Sequence, residues 1–188
     1  MSVAGSLFDT VDVGSVAAEA ARWGVPGSVL VACLVEGVVG HELHRLVVGS
    51  QQMRPTVAAA LRIGWTDETP GRALAVAFGA AAALHGQCGN GGAEPPMSGP
   101  RVWCLLDAEA CDEGNTWEAA RAAVAAPGRL VTCVLSPPSE AQSLAALWEA
   151  AGWAVVEVAG DDVWEVLGGL DQALATPKPP VALIVVCE

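Results

Sequence analysis

Residues 101–120 read RVWCLLDAEACDEGNTWEAA, and the fold turns on how this stretch divides. The run 102–106 is apolar without alternation, the pattern of a strand buried on both faces. It stops at Asp107. A short acidic turn follows, and 114–126 then reads as a helix. A turn of this kind, at the carboxyl end of a buried strand, is where α/β proteins place phosphates and metals.

Working outward, four more runs resemble 102–106: 29–34, 130–135, 154–158 and 181–186. Helical segments fall at about 55–63, 71–86, 114–126, 139–151 and 162–175. Ser139 precedes one of them as an N-cap and Gly152 stops it; Asp161 and Asp162 have the chemistry of an N-cap for the last. Strand–helix alternation of this length implies right-handed crossovers and a three-layer αβα sandwich around a mostly parallel, doubly wound sheet. The helix containing GRALAVAFGAAAALHG has small residues on every face, which suits a buried position or a subunit contact. The segment 87–100, QCGNGGAEPPMSGP, lacks periodicity and reads as a mobile loop. No repeat or linker divides the 188 residues, so one domain is expected over 1–188.

The formal charge is −12 and the pI about 4.5. Nine scattered basic residues make no stripe for a phosphate backbone or an anionic membrane, so neither nucleic acid nor membrane is an expected partner. Mean hydropathy is +0.44, yet the longest apolar run is about a dozen residues, short of the ~20 that span a bilayer. The opening MSVAGSLFDTVDVGS lacks the basic start and apolar core of a signal peptide. An apolar excess without a span points to a large protein–protein interface. Cysteines stand at 33, 88, 104, 111, 133 and 187 with no CxxC pair, and His41, His44 and His85 are not at zinc spacing with them. Reduced thiols and a cytoplasmic location are the expectation.

Four segments, in order, resemble the N-terminal, diphosphate-binding half of the transketolases. VGHELHRLV (39–47) is similar to that family's Ser-Lys-Gly-His…Leu-Tyr segment, with Gly40, His41 and Leu46 retained. ETPGRALAVAFGAAAAL (68–84) is similar to its glycine-rich helix, with Gly71, Leu74 and Gly79 retained. RVWCLLDAEACDEGNTWEAARAA resembles Arg-Val-Tyr…Gly-Asp-Gly-Glu…Glu-Gly…Trp-Glu-Ala without a gap. LWEAAGWAVVEVAGDDVWEVLGGLDQAL…KPPVALIVV resembles Phe-Glu-Ala-Phe-Gly-Trp…Val-Glu…Gly-His-Asp and the last strand. The resemblance covers roughly 35–188 and implies the thiamine-diphosphate-binding fold.

The resemblance also implies chemistry. The Asp of Gly-Asp-Gly and an Asn about thirty residues later ligate Mg²⁺, which holds thiamine diphosphate; a hard cation takes oxygen ligands and bridges the phosphates. Here the ungapped register puts Ala108 on the metal Asp, Asp107 and Glu109 on the flanking glycines, and Pro138 near the Asn. Ala and Pro carry no side-chain oxygen. A one-residue slip makes Asp107 the metal ligand, helped by Ser136 or Glu109; alternatively Asp107 and Glu109 cap the following helix. Gly71, Asp107 and Glu109 are the implied cofactor contacts. His41 corresponds to a residue facing substrate and phosphates, or else is a surface or capping histidine; His44 reads as solvent-facing and His85 as complementing a helix C-terminus. Glu113 and Glu118 match interface glutamates that link two active sites, although acids at a helix N-terminus are stabilised there in any case. Trp117 and Trp153 read as packing residues.

The pyrimidine-binding half of the family is absent from the sequence. The implied function is therefore that of a split subunit pairing with a separate transketolase C-terminal-like chain, as a heterotetramer, for thiamine-diphosphate-dependent two-carbon transfer. High Ala, Arg and Trp with a single lysine hints at a GC-rich bacterial genome and secondary metabolism. The alternative is a degenerate partner or scaffold subunit that stabilises a complex without binding cofactor. The related alpha chain of a 2-oxo acid dehydrogenase fits less well, because WEAAR and the C-terminal segment match transketolase better.

Overall fold

The computed structural model describes residues 11–39, 45–60, 65–88, 101–125, 129–176 and 180–188. Its axis is β3 (Val102–Asp107), in which every residue is buried. β3 pairs in parallel with β1 (Arg45–Val48) on one side and β4 (Leu130–Ser136) on the other. β6 (Val181–Val186) lies between β4 and β5 (Ala154–Ala159), and the short β2 (Thr66–Asp67) flanks β1. The order is β2-β1-β3-β4-β6-β5 and all pairings are parallel.

Side chains of β3 alternate between two cores, as the pleat requires. Trp103 and Leu105 face a core covered by α1 (Val13–Trp23), α2 (Ser28–Cys33), α3 (Arg54–Ala60) and α7 (Val163–Ala175). Val102, Cys104 and Leu106 face a core covered by α4 (Pro70–Cys88), α5 (Gly114–Ala125) and α6 (Pro138–Ala150). Helices on both faces of a parallel sheet explain why its strands read as apolar runs without alternation. The doubly wound, three-layer reading therefore holds.

One strand expected from sequence is a helix. Residues 29–33 lie in α2, and Leu34 opens the π-helical turn that continues it, Leu34–Val39. A short apolar run fits a buried strand and a buried helix equally well. Here Gly27, at φ 77°, turns the chain, and the Val31 N–H bonds back to the Gly27 carbonyl at 3.1 Å. Every residue from Leu30 to Leu34 is buried because α2 packs beneath α1, α3 and α7. The first strand is instead β1, whose apolar run is only three residues long. The sequence reading also made no element of α1, which buries just Val16 and Ala20 and starts at Asp12, whose Oδ1 accepts the Gly14 and Ser15 N–H groups.

Helix ends differ in detail. Ser139 is not the N-cap of α6: that position is Pro137, with Pro138 next, since a fixed φ near −65° suits the first helical residues. Helix α3 ends at Ala60; residues 61–64 lie outside the described part. Helix α4 runs to Cys88, two residues into the expected loop, and 89–100 are outside the described residues. Asp162 does cap α7, accepting from the Trp164 and Glu165 N–H groups. Among the described residues no helix is long and apolar enough to cross a membrane.

The end of α6 shows how local chemistry ties into the core. Gly152, at φ 92°, donates to the Glu149 carbonyl, and the Trp153 N–H donates to the Trp148 carbonyl at 3.1 Å. This pair of bonds is a Schellman motif, and its hydrophobic contact is Trp153 edge-on to Trp148, ring centroids 4.7 Å apart. Trp117 packs on Trp148 at 5.2 Å. The Trp117 and Trp153 indole N–H groups donate to the Cys111 and Ala120 carbonyls. Both tryptophans are thus packing residues joining α5 to α6. Truncating the fully buried Trp148 to Ala should cost about 3–5 kcal/mol. Trp153→Phe, which loses one hydrogen bond, should cost about 1 kcal/mol. Urea midpoints of the two variants check this order.

Candidate functional site

From β1 the chain crosses to α3 on one face of the sheet; from β3 it crosses to α5 on the other. β1 and β3 are neighbours, so the two crossovers diverge and leave a crevice at their carboxyl ends, the ligand position in such folds. At the same end, a cleft of about 330 Å³ is bordered by Asp107, Glu109, Asp112, Ser136 and Glu140. It contains no basic lining residue among those described. A larger groove of about 670 Å³ continues toward the turn between α1 and α2 and the ends of β5 and β6; the two share Pro26, Cys187 and Glu188.

Asp107 is the last residue of β3 and only 2 % exposed. Its Oδ2 accepts the Gln51 N–H at 3.1 Å and its Oδ1 the Ala110 N–H at 3.2 Å. The second bond caps a 3₁₀ turn, Ala108–Asp112, so the capping reading of Asp107 is seen directly. That turn is locked from α5: the buried Thr116 hydroxyl donates to the Ala110 carbonyl at 2.6 Å. Ala108 and Glu109 lie in the turn and line the cleft, whereas Pro138 opens α6 and lines the neighbouring groove.

The other residues singled out in the sequence sit apart. Gly71, in the first turn of α4, is not in the cleft lining. A Cβ there would come 3.3 Å from the Cβ and Cγ of Glu113, so the structure brings Gly71 and Glu113 together. Glu113 and Glu118 are both exposed, flanking and on α5. His41 and His44 lie outside the described residues. The backbone of His85 is in the last turn of α4.

Sequence reasoning missed the loop 49–53. Gly49 and Ser50 N–H groups both donate to the Leu105 carbonyl, at 2.8 and 3.1 Å, and the Met53 N–H donates to Ser50 Oγ. Gly49 is required by close approach, because a Cβ there would strike Ala73 and Leu106. The signal was available: VVGS is an apolar run broken by a Gly-Ser turn, the same grammar as at Asp107.

Among the described residues the donor set does not fit Mg²⁺, which demands near-octahedral oxygen ligands. Both oxygens of Asp107 already accept backbone amides. Ala108 and Pro138 offer no side-chain oxygen, and the Ser136 hydroxyl donates to the Pro137 carbonyl at 3.0 Å. Glu109, Asp112 and Glu140 are exposed, and no group of three or more His, Cys, Asp or Glu among the described residues converges on a point. Arg54 and Arg72, whose helices begin at this end of the sheet, are paired with Asp67 (2.8 Å) and Glu68 (3.9 Å). A diphosphate in the cleft would face carboxylates without a lining cation.

No protein-family model matches the chain, and no curated protein matches it significantly. Solved structures do. Transketolase from Leishmania mexicana superposes with a TM-score of 0.64 at 18% identity, covering 92% of this chain and 35% of that one. A transketolase variant from Pichia stipitis gives 0.67 at 16% identity, with 92% and 34% covered. Transketolase from Campylobacter jejuni gives 0.60 at 19% identity, with 92% and 36% covered. The fold is transketolase-like. The chain spans about a third of the length of these transketolases.

Cys33, Cys104, Cys111, Cys133 and Cys187 are free. Burial pushes the Cys33 and Cys111 thiols up to about 12 and raises those of Cys104, Cys133 and Cys187 as well. They are thiols at neutral pH, not nucleophilic thiolates. The folded chain holds these protons above the pH at which an unfolded chain releases them. Stability is therefore unaffected by the thiols below about pH 8.5 and falls above it, through pH 12, by up to about 1.4 kcal/mol per pH unit for each thiol. Urea midpoints at pH 8, 9 and 10 should fall in that order, and Cys33→Ala should flatten the slope.

Proposed function

We propose that this chain is the diphosphate-domain half of a two-chain transketolase-like assembly, completed by a separate chain carrying the pyrimidine domain. The observation that supports the diphosphate-domain part of this reading is the transketolase-like fold over 92% of this chain. Its reaction class is transfer of a two-carbon ketol or acyl unit, and the Ala-rich, Lys-poor composition hints at bacterial secondary metabolism. Thiamine diphosphate supplies the stabilised carbanion for such a transfer. In this reading His41 faces the substrate, and Glu113 and Glu118, exposed along α5, meet the partner in a heterotetramer. The cytoplasm is the proposed location, in keeping with the free cysteines.

The cleft favours a second reading for this chain's own share of the work. Because its donor set does not fit Mg²⁺, the chain would shape and stabilise the assembly while the cofactor's metal ligands come from elsewhere, or while no cofactor is bound at all.

Affinity purification of the tagged chain from its native host should recover a pyrimidine-domain chain in equimolar amount; recovery of this chain alone would overturn the two-chain proposal. Expressed without a partner, the chain should self-associate, and a stable 19.1 kDa monomer in light scattering would count against an interface. For the recovered assembly, thiamine diphosphate with Mg²⁺ at about 100 times its dissociation constant should raise stability by roughly 2.7 kcal/mol. A shift removed by a chelator supports the catalytic reading. No shift supports the scaffold.

A further inference from the structure

We infer that Asp107 is a clasp that closes the switch point of the sheet from within, and that the cleft beside it does not accept a magnesium–diphosphate pair. One carboxylate serves both crossovers. Its Oδ2 holds the loop that leaves β1, through the Gln51 N–H, and its Oδ1 holds the turn that leaves β3, through the Ala110 N–H. The same loop is pinned again one step earlier, where Gly49 and Ser50 donate to the Leu105 carbonyl. Ser50 is fully buried, and its hydroxyl accepts the Met53 N–H to start α3.

Diverging crossovers leave backbone N–H groups pointing into the crevice, and such donors need an acceptor. In a ligand-binding sheet an anion can supply it. Here the chain's own carboxylate does, and at 2 % exposure it shows little of itself to the cleft it borders. A metal at Asp107 would have to share oxygens that already hold two amides, and Ala108 and Pro138 add no side-chain oxygen to complete a shell. The exposed Glu109, Asp112 and Glu140 then repel a diphosphate rather than compensate it.

The clasp is internal to the chain, so its test is independent of whether a partner is found. Hydrogen exchange of the Gln51 and Ala110 amides is followed in the full chain, in the form in which it purifies, with chelator and then with Mg²⁺ and thiamine diphosphate. The wild-type amides should be protected equally in both. Asp107→Asn keeps the shape but turns an NH₂ donor toward one of the amides. It should speed exchange at Gln51 or Ala110 by at least about tenfold and lower the melting temperature whether or not Mg²⁺ is present. Slower wild-type exchange with Mg²⁺ and thiamine diphosphate, reversed by chelator, overturns the inference. So does an Asp107→Asn chain with unchanged exchange and melting. Should that variant not fold, the wild-type comparison alone decides between the two.

Discussion

The structure depends on one constraint: β3 is buried on both faces and paired on both edges. Nothing polar can interrupt it before its last residue, and the first permitted polar position, Asp107, falls where two crossovers part. A carboxylate at that point has to be satisfied from the protein, because a buried unpaired charge is costly. The Gln51 and Ala110 amides meet that need. The loop after β1, the 3₁₀ turn and the start of α5 are then fixed in turn by Leu105, Thr116 and Trp117. Burial of one strand thus sets the shape of the whole carboxyl end.

The two cores solve the packing problem differently. Over α4 and α5 the buried side chains are mostly alanine, as at Ala73, Ala77, Ala81, Ala119, Ala120 and Ala123. Small side chains let these helices approach the sheet and each other, and Gly49 under Ala73 is the extreme case. The volume missing there returns at α6, where Trp117, Trp148 and Trp153 form one cluster. The opposite core uses branched residues of α2 and α7, such as Leu30, Val31, Val166 and Leu170, in the ordinary way.

What the sequence revealed follows from these patterns. β3, β4, β5 and β6 announced themselves as long apolar runs, and α4 to α7 as periodic segments between them. β1 did not, because an apolar stretch of three residues carries too little signal. The run 29–34 misled for the opposite reason: a helix buried on every side has no polar face to show its period. At the site, Asp107 was legible as a cap because acid followed directly on a buried strand. Its second partner was not, since Gln51 lies 56 residues away and only the pairing of β1 with β3 brings it near. Gly71 and Glu113 were marked for separate roles, and only the folded chain shows them in contact.

The likeness to transketolases and the chemistry of the cleft pull in different directions, and physical chemistry says how they coexist. Topology is held by apolar burial and by the β1–β3–β4 ladder, in which Ala108 and Pro138 take no part. Ala108 and Pro138 therefore leave the sheet undisturbed: one sits in a turn that Asp107 caps, the other at a helix start that favours proline. The carboxyl end has the crevice of a ligand site, and the described lining of the cleft there is acidic and so repels anions. For a phosphate group to enter, positive charge must arrive from outside the described residues. A partner that completes this cleft would accordingly present arginine or lysine to Glu109, Asp112 and Glu140, where the Coulomb term favours association and the cleft itself supplies no competing cation.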